Sequence, residues 1–192
     1  MTHDDITERI GRRLRELRAA AGLSLDALSH KSGVSRSNIS LIERGQSSPT
    51  AVVLDKLSSA LGVSVASMFE AGNAPAAPSP LARVADQPVW RDPASGYVRR
   101  NVSPPGVSPL QLVDVIFPPG QRVQFETSAR DADIHQLIWM IDGAMDIGHG
   151  DARWQLQAGD CLALRLDAPI TFFNPGAHPA RYLVALTGAR QP

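Results

Sequence analysis

The chain has 192 residues with 19 basic and 19 acidic side chains, and its formal net charge is zero. That balance excludes a generic polyanion binder, and the length leaves room for one or two domains. A single cysteine, Cys161, excludes an intramolecular disulfide framework; no apolar run approaches membrane-spanning length or a secretory signal, so a cytoplasmic protein without membrane contact is expected.

The first element is an amphipathic helix with Ile6, Ile10, Leu14 and Leu17 at helical spacing. Arg9, Arg12, Arg13, Arg15 and Arg18 crowd the same segment, so its local potential is positive although residues 1–70 hold only 9 basic against 8 acidic groups. Ser24 is a good N-cap for a second helix, and Gly33 a natural left-handed stop for it. Ser35 then caps a third, in which Ile39, Leu41 and Ile42 are expected to face inward while Arg36, Ser37, Asn38 and Ser40 point out. A short capped helix presenting Arg, Ser and Asn from its first turn suits insertion into a DNA major groove. Pro49-Thr50 opens a fourth helix carrying Val53, Leu54, Leu57 and Leu61, which Gly62 ends, and Ser64 caps a fifth over Val65-Ala66-Ser67-Met68-Phe69. Five small helices can bury one modest core.

The run Gly22-Leu23-Ser24, Gly33-Val34-Ser35, Ile39-Ser40, Ile42-Glu43-Arg44-Gly45 and Ser48-Pro49-Thr50 resembles the Xre/lambda-repressor helix-turn-helix family over residues 6–70. Taken with the outward helix face, the resemblance points to Ser24, Ser35, Arg36, Ser37, Asn38, Ser40, Arg44 and Thr50 as the residues that meet double-stranded DNA. The bland reading of these side chains is a solvated helix face. Arg36 suits guanine and Asn38 suits adenine, while Ser24, Thr50 and the amides at helix starts suit phosphates. The family often has Gln where this chain has Leu25, which removes one contact. Glu43 is expected to pair with Arg15 in a structural role, and Arg44 fits either reading.

Proline and small residues dominate Ala71 to Pro80 and predict a semi-extended tether inside a 71–88 linker, between a 1–70 DNA-binding domain and an 89–192 domain. Beyond it the helical period vanishes. Short β-prone runs follow at 97–102, 110–117, 122–126, 134–141, 144–148, 152–157, 161–165, 169–173 and 181–187, with Asp142-Gly143 as a tight hairpin signal. So many short strands mean a sandwich or small barrel.

Pro118-Pro119-Gly120, Trp139-Met140-Ile141-Asp142-Gly143, and Gln157-Ala158-Gly159-Asp160-Cys161 followed by Phe173-Asn174-Pro175-Gly176 resemble, in order and spacing, the cupin family over about residues 110 to 187. That resemblance implies a double-stranded β-helix barrel, and hence an α + β two-domain chain. It also implies where a metal would sit, and there the chain departs from the family: Glu126 and Ser128 take the paired histidine positions, Gln136 the glutamate position, and Ile170 the last histidine position. A transition metal needs a convergent set of imidazoles and carboxylates. We therefore expect no metal, no cofactor and no catalytic residues.

Cupin topology turns Glu126, Ser128, Gln136, Ile138, Met140, Ile170 and Phe172 inward, toward either a packed interior or a small-molecule effector pocket. Polar groups inside a barrel cost free energy unless paired, so Glu126, Ser128 and Gln136 favour a pocket, whereas Ile138 and Met140 favour plain core. Cys161 is expected to be a buried small side chain, and Trp139 and Trp154 to form barrel shell or dimer interface. His135, His149 and His178 receive no role. The reading is a transcriptional regulator, repression being its expected direction, whose barrel dimerises on a palindromic operator and senses a small effector. Its rivals are a barrel that only dimerises, and an iron enzyme like the phosphonate epoxidases, which also join such a helix-turn-helix to a cupin.

Overall fold

The structure, a computed structural model, describes residues 3–63, 65–69, 79–104, 108–126 and 134–187. Its N-terminal part holds four α-helices: α1 (His3–Ala20), α2 (Leu25–Ser32), α3 (Arg36–Glu43) and α4 (Ala51–Leu61). Their ends follow from the caps. Ser24 Oγ accepts the Ala27 amide at 3.0 Å, Ser35 Oγ that of Asn38 at 3.3 Å, and Thr50 Oγ1 that of Val53 at 3.3 Å. Gly33 and Gly62 close α2 and α4 in the left-handed region, where a Cβ is penalised.

The expected fifth helix is not an α-helix. Val65–Phe69 forms a five-residue 3₁₀ turn, because so short a segment closes few i→i−4 bonds and the tighter turn satisfies more of its backbone. Buried Met68 and Phe69 pin it to the core, and Ser64, its expected cap, lies outside the described residues.

Helices α1 and α3 approach closely at Gly11, where a Cβ would collide with the Ile42 carbonyl oxygen. Beside this crossing the buried Glu43 carboxylate takes a two-point bond from Arg18, at 2.6 Å from Nε and 2.8 Å from Nη2. The expected partner, Arg15, lies at a looser 3.7 Å. Leu41 also departs from expectation: it is 39% exposed, whereas Ile39 and Ile42 are fully buried. At 3.6 residues per turn, position 41 lies about 200° from position 39, so both cannot face one core.

The second part contains β1 (Val89–Arg91), β2 (Val98–Asn101), β3 (Leu110–Phe117), β4 (Arg122–Phe125), β5 (His135–Asp142), β6 (Ala144–His149), β7 (Ala152–Gln157), β8 (Cys161–Arg165), β9 (Ile170–Phe173) and β10 (Ala180–Thr187). They form a six-stranded sheet, ordered β1-β2-β3-β10-β5-β8, and a four-stranded sheet, β4-β9-β6-β7, with all pairs antiparallel. Nine strands fall where alternation places them. The tenth, β1, is three residues long and too brief to show a period. Asp142-Gly143 is not a hairpin: β5 and β6 belong to different sheets, and the turn carries the chain across. Gly143 is required there, with φ of 77° and a missing Cβ that would meet Ala180 Cα at 2.9 Å.

The proline-glycine phrases meet in space. Buried Asn174 donates to the carbonyls of Phe117 (3.0 Å) and His178 (2.9 Å), and its own carbonyl accepts the Gly120 amide at 2.9 Å. Asn174 therefore ties the barrel end together.

Most of the expected tether, residues 71–78, lies outside the described residues. The two parts nevertheless share one hydrophobic core. Trp90 on β1 packs 5.7 Å from Phe69 and 5.6 Å from Tyr97, whose ring stacks 5.5 Å from Phe117. Buried Asp92 accepts the Ala51 amide at the start of α4 at 3.0 Å, and Asp55 on α4 accepts the Glu126 amide at 2.6 Å. The helical part is thereby seated on the barrel.

Candidate nucleic-acid interface and barrel cavity

Helix α3 presents one continuous polar face. Ser35, Arg36, Ser37 and Arg44 are exposed, and Asn38 and Ser40 half-exposed, while Ile39 and Ile42 anchor the opposite side. Leu25, Arg36, Ser37, Ser40, Leu41 and Arg44 ring a shallow surface depression, so Leu41 joins this face instead of the core. Arg36 Nε lies 3.1 Å from Asp26 Oδ1, and Arg44 Nε donates to the Ser40 carbonyl at 3.2 Å. An exposed pair such as Arg36–Asp26 holds its partners weakly, so a phosphate or base edge can displace it.

Exposed Ser24 sits at the neighbouring start of α2. Thr50 is different. Its hydroxyl is spent on the α4 cap, and the first free amide of that helix, at Ala51, is taken by the Asp92 carboxylate. A helix start expected to receive phosphate is instead neutralised from within the chain.

The second site lies inside the barrel. A cavity of about 110 Å³ is lined by Gln136, Ile170 and Phe172, together with Tyr97, Arg99, Gln111, Phe125 and Tyr182 from facing strands and loops. Its wall also includes Asp55, Ser58, Val63 and Val65, so the helical part forms one side of it. Of the remaining inward candidates, Ile138 and Met140 are wholly buried in the packed core and do not line the cavity. Glu126 is exposed, accepting from Gln124 Nε2 at 2.8 Å, because the chain leaves β4 at Phe125 and that ring takes the inward place. Ser128 lies outside the described residues.

The polar groups of the cavity are incompletely paired. Arg99 Nε donates to Asn101 Oδ1 at 3.2 Å and its guanidinium stands 5.1 Å from the centre of the Phe69 ring, but Nη2 is shut from solvent with no partner. Burial pushes the Arg99 pKa down, partly offset by Tyr97 and Tyr182. Gln136 is buried, and its Nε2 has no partner either. Sequence reasoning missed Arg99 because an arginine pair on a short strand carries no motif; the run Val98-Arg99-Arg100, with alternate sides forced by the pleat, was the available signal. Arg100, on the other face, pairs with Asp114 at 2.9 Å.

The metal positions implied by the cupin resemblance do not fit a metal. Glu126 points to solvent, Gln136 and Ile170 offer an amide and an alkyl chain, and among the described residues no three His, Cys, Asp or Glu side chains converge. Cys161, expected to be buried, is exposed beside Trp139 on the outer face of the six-stranded sheet, since β8 begins with an outward position.

Paired capped helices with an outward polar recognition face, ahead of a two-sheet barrel, define a helix-turn-helix DNA-binding protein joined to a β-rich domain. The helix-turn-helix family model HTH_3 matches residues 14–68. The HTH-type transcriptional regulator SinR of Bacillus subtilis is 40% identical over 62 residues, 32% of this chain and 56% of that protein. An uncharacterized HTH-type regulator, y4dJ of Sinorhizobium fredii, is 37% identical over 60 residues, 31% of this chain and 78% of its own length. An HTH_3 family transcriptional regulator from Vibrio cholerae shares the fold at TM-score 0.74 and 22% identity, over 98% of this chain and 100% of that one. The chain belongs to the Xre-type HTH transcriptional regulators. It spans about half the length of the SinR proteins it matches. No described helix is long and apolar enough to cross a membrane.

Proposed function

We propose that this regulator binds a palindromic operator through α3 as a homodimer, that its cupin-like barrel binds a small effector, and that it catalyses no reaction. The observation that carries the reading is the join between its two halves. The wall of the barrel cavity is built partly from α4 and the segment after it, and α4 packs on α2 of the DNA-reading pair. A ligand that fits one seating of α4 better than another therefore shifts the population of DNA-competent molecules.

Ser24, Ser35, Arg36, Ser37, Asn38, Ser40 and Arg44 supply the base and phosphate contacts in this reading. Thr50 acts as the α4 cap at the edge of the interface. Dimerisation follows from geometry, because one small helix-turn-helix reads too few base pairs, and two-fold dimers match palindromes. The outer face of the six-stranded sheet supports it, since Leu137 and Trp139 are each 48% exposed and flanked by Ala163, Leu183 and Ala185 on the paired strands.

The test is capture of genomic fragments by the purified full chain, followed by sequencing. Enrichment of a few palindromic sites is the expected result. Enrichment of nothing above background removes operator binding and leaves the helix-turn-helix as a docking module.

A further inference from the structure

We infer that the barrel cavity is a site for a small organic carboxylate, held by Arg99 with Gln136 as a second donor. The inference rests on the reading that the barrel binds an effector and adds the chemistry of that effector.

The two orphaned groups are both donors. Arg99 Nη2 and Gln136 Nε2 are each cut off from solvent without an acceptor, in the wall of one cavity. Leaving such groups unpaired is costly, and more so for a charged one, so a ligand bearing acceptor oxygens recovers that cost on binding. Arginine presents a planar fork of donors that matches a carboxylate, and hydrogen bonds to an ionised acceptor are the stronger kind.

No internal acid does the job. Among the described residues Arg99 makes no ion pair, and its hydrogen-bond acceptor there is the neutral Asn101 amide oxygen. Asp55 also lines the cavity, but it spends Oδ2 on the Glu126 amide, within the seam that holds α4 to the barrel. Asp114, the carboxylate that Arg100 and Arg181 share, lies on the other side of the sheet and does not reach into the cavity.

The rest of the wall sets the body of the ligand. Phe125, Phe172, Ile170 and Val184 surround the space with apolar groups, and about 110 Å³ admits only a few non-hydrogen atoms. A dry cavity of about 150 Å³ is enough for benzene. A short or branched aliphatic monocarboxylate fits both limits, whereas a sugar or nucleotide exceeds them.

The experiment is calorimetric titration of the full chain with propionate and isobutyrate, each against its own amide, and with inorganic phosphate. At least one carboxylate is expected to bind ten or more times tighter than its amide, with Arg99→Gln abolishing that difference and Arg99→Lys restoring part of it. Because Arg99 packs on Phe69, each variant is checked by thermal melting, and Gln136→Leu serves as a second variant that weakens carboxylate binding without removing the cation. Equal binding of acid and amide, unchanged in Arg99→Gln, overturns the carboxylate and leaves the effector reading standing. Binding of phosphate alone also overturns it, showing an inorganic-anion site. No binding of acids, amides or phosphate by the folded chain overturns the carboxylate site and leaves the effector reading to ligands of other chemistry.

Discussion

Residues that look alike in the sequence do different work according to the side on which the backbone turns them. Arg99 and Arg100 are neighbours, yet one enters an apolar cavity and the other meets Asp114 outside. On α3 the same logic favours Asn38 as a base reader, since its amide matches the adenine edge and Ser35 has already capped its backbone. Asn38→Ala is expected to cost about 1–3 kcal/mol of operator affinity and to blur one base position, whereas equal losses on operator and random DNA reduce it to a phosphate contact. The tyrosines give a second test. The chain has two, Tyr97 and Tyr182, both buried in the barrel. Burial pushes both phenols up, Tyr97 with help from Asp92 and Asp55 and Tyr182 with help from Tyr97, while Arg99 opposes the shift in each. A raised native pKa means stability that is complete below the unfolded value of about 10 and is lost as pH climbs from there toward the native value. Tyrosinate absorbance is therefore expected to stay absent at pH 10 in the native chain and to appear together with unfolding. Half-ionised tyrosine at pH 10 with native circular dichroism contradicts the buried placement.

Elements whose boundaries depend on local chemistry were readable from the chain, and those that depend on partners were not. Caps at Ser24, Ser35 and Thr50 and stops at Gly33 and Gly62 are short-range events, so α2, α3 and α4 fall where the sequence places them. Most barrel strands do too, because alternation is local. The candidate cavity was only partly legible. Gln136, Ile170 and Phe172 stand on strands whose inward side alternation reveals, but Arg99, Tyr182 and Asp55 come together through tertiary packing. Asp92 is the clearest case, a loop carboxylate 41 residues from the helix start it serves. It accepts from the amides of Ala51, Ala94 and Ser95, and from the Ser95 hydroxyl, while only 2% exposed. Asp92→Ala leaves the buried Ala51 amide without its acceptor and is expected to cost about 2 kcal/mol, near the usual loss for a cap or for charged hydrogen bonds. Urea unfolding measures the loss, and hydrogen exchange at the Ala51 amide localises it. Unchanged protection at Ala51 means that the carboxylate does not hold α4.

For the whole molecule, the proposed function requires one cavity to act on the two recognition helices of a dimer. Dimer half-sites lie about one helical turn of DNA apart, so the spacing and tilt of two α3 helices decide whether the operator fits. In the proposed reading the barrel fixes that spacing through its outer sheet face, and α4, which touches cavity, barrel and α2 at once, is the element through which a ligand would change tilt. Trp139 lies on that outer face, paired across the strands with Leu183 and Cys161, and the pleat turns it to the opposite side of β5 from the inward Gln136 and Ile138. Trp139→Asp is therefore expected to separate assembly from sensing. In sedimentation the variant should run as a monomer, and its affinity for the full operator should fall by at least about 1.4 kcal/mol, a factor of ten. The variant should stay folded, because an exposed position loses little on becoming polar; any fall in its melting temperature is the concentration-dependent share that the dimer contributed. A variant that stays dimeric moves the two-fold contact elsewhere. A monomer that still binds the full operator at native affinity removes the dimer from recognition, and with it the need for a barrel that sets spacing.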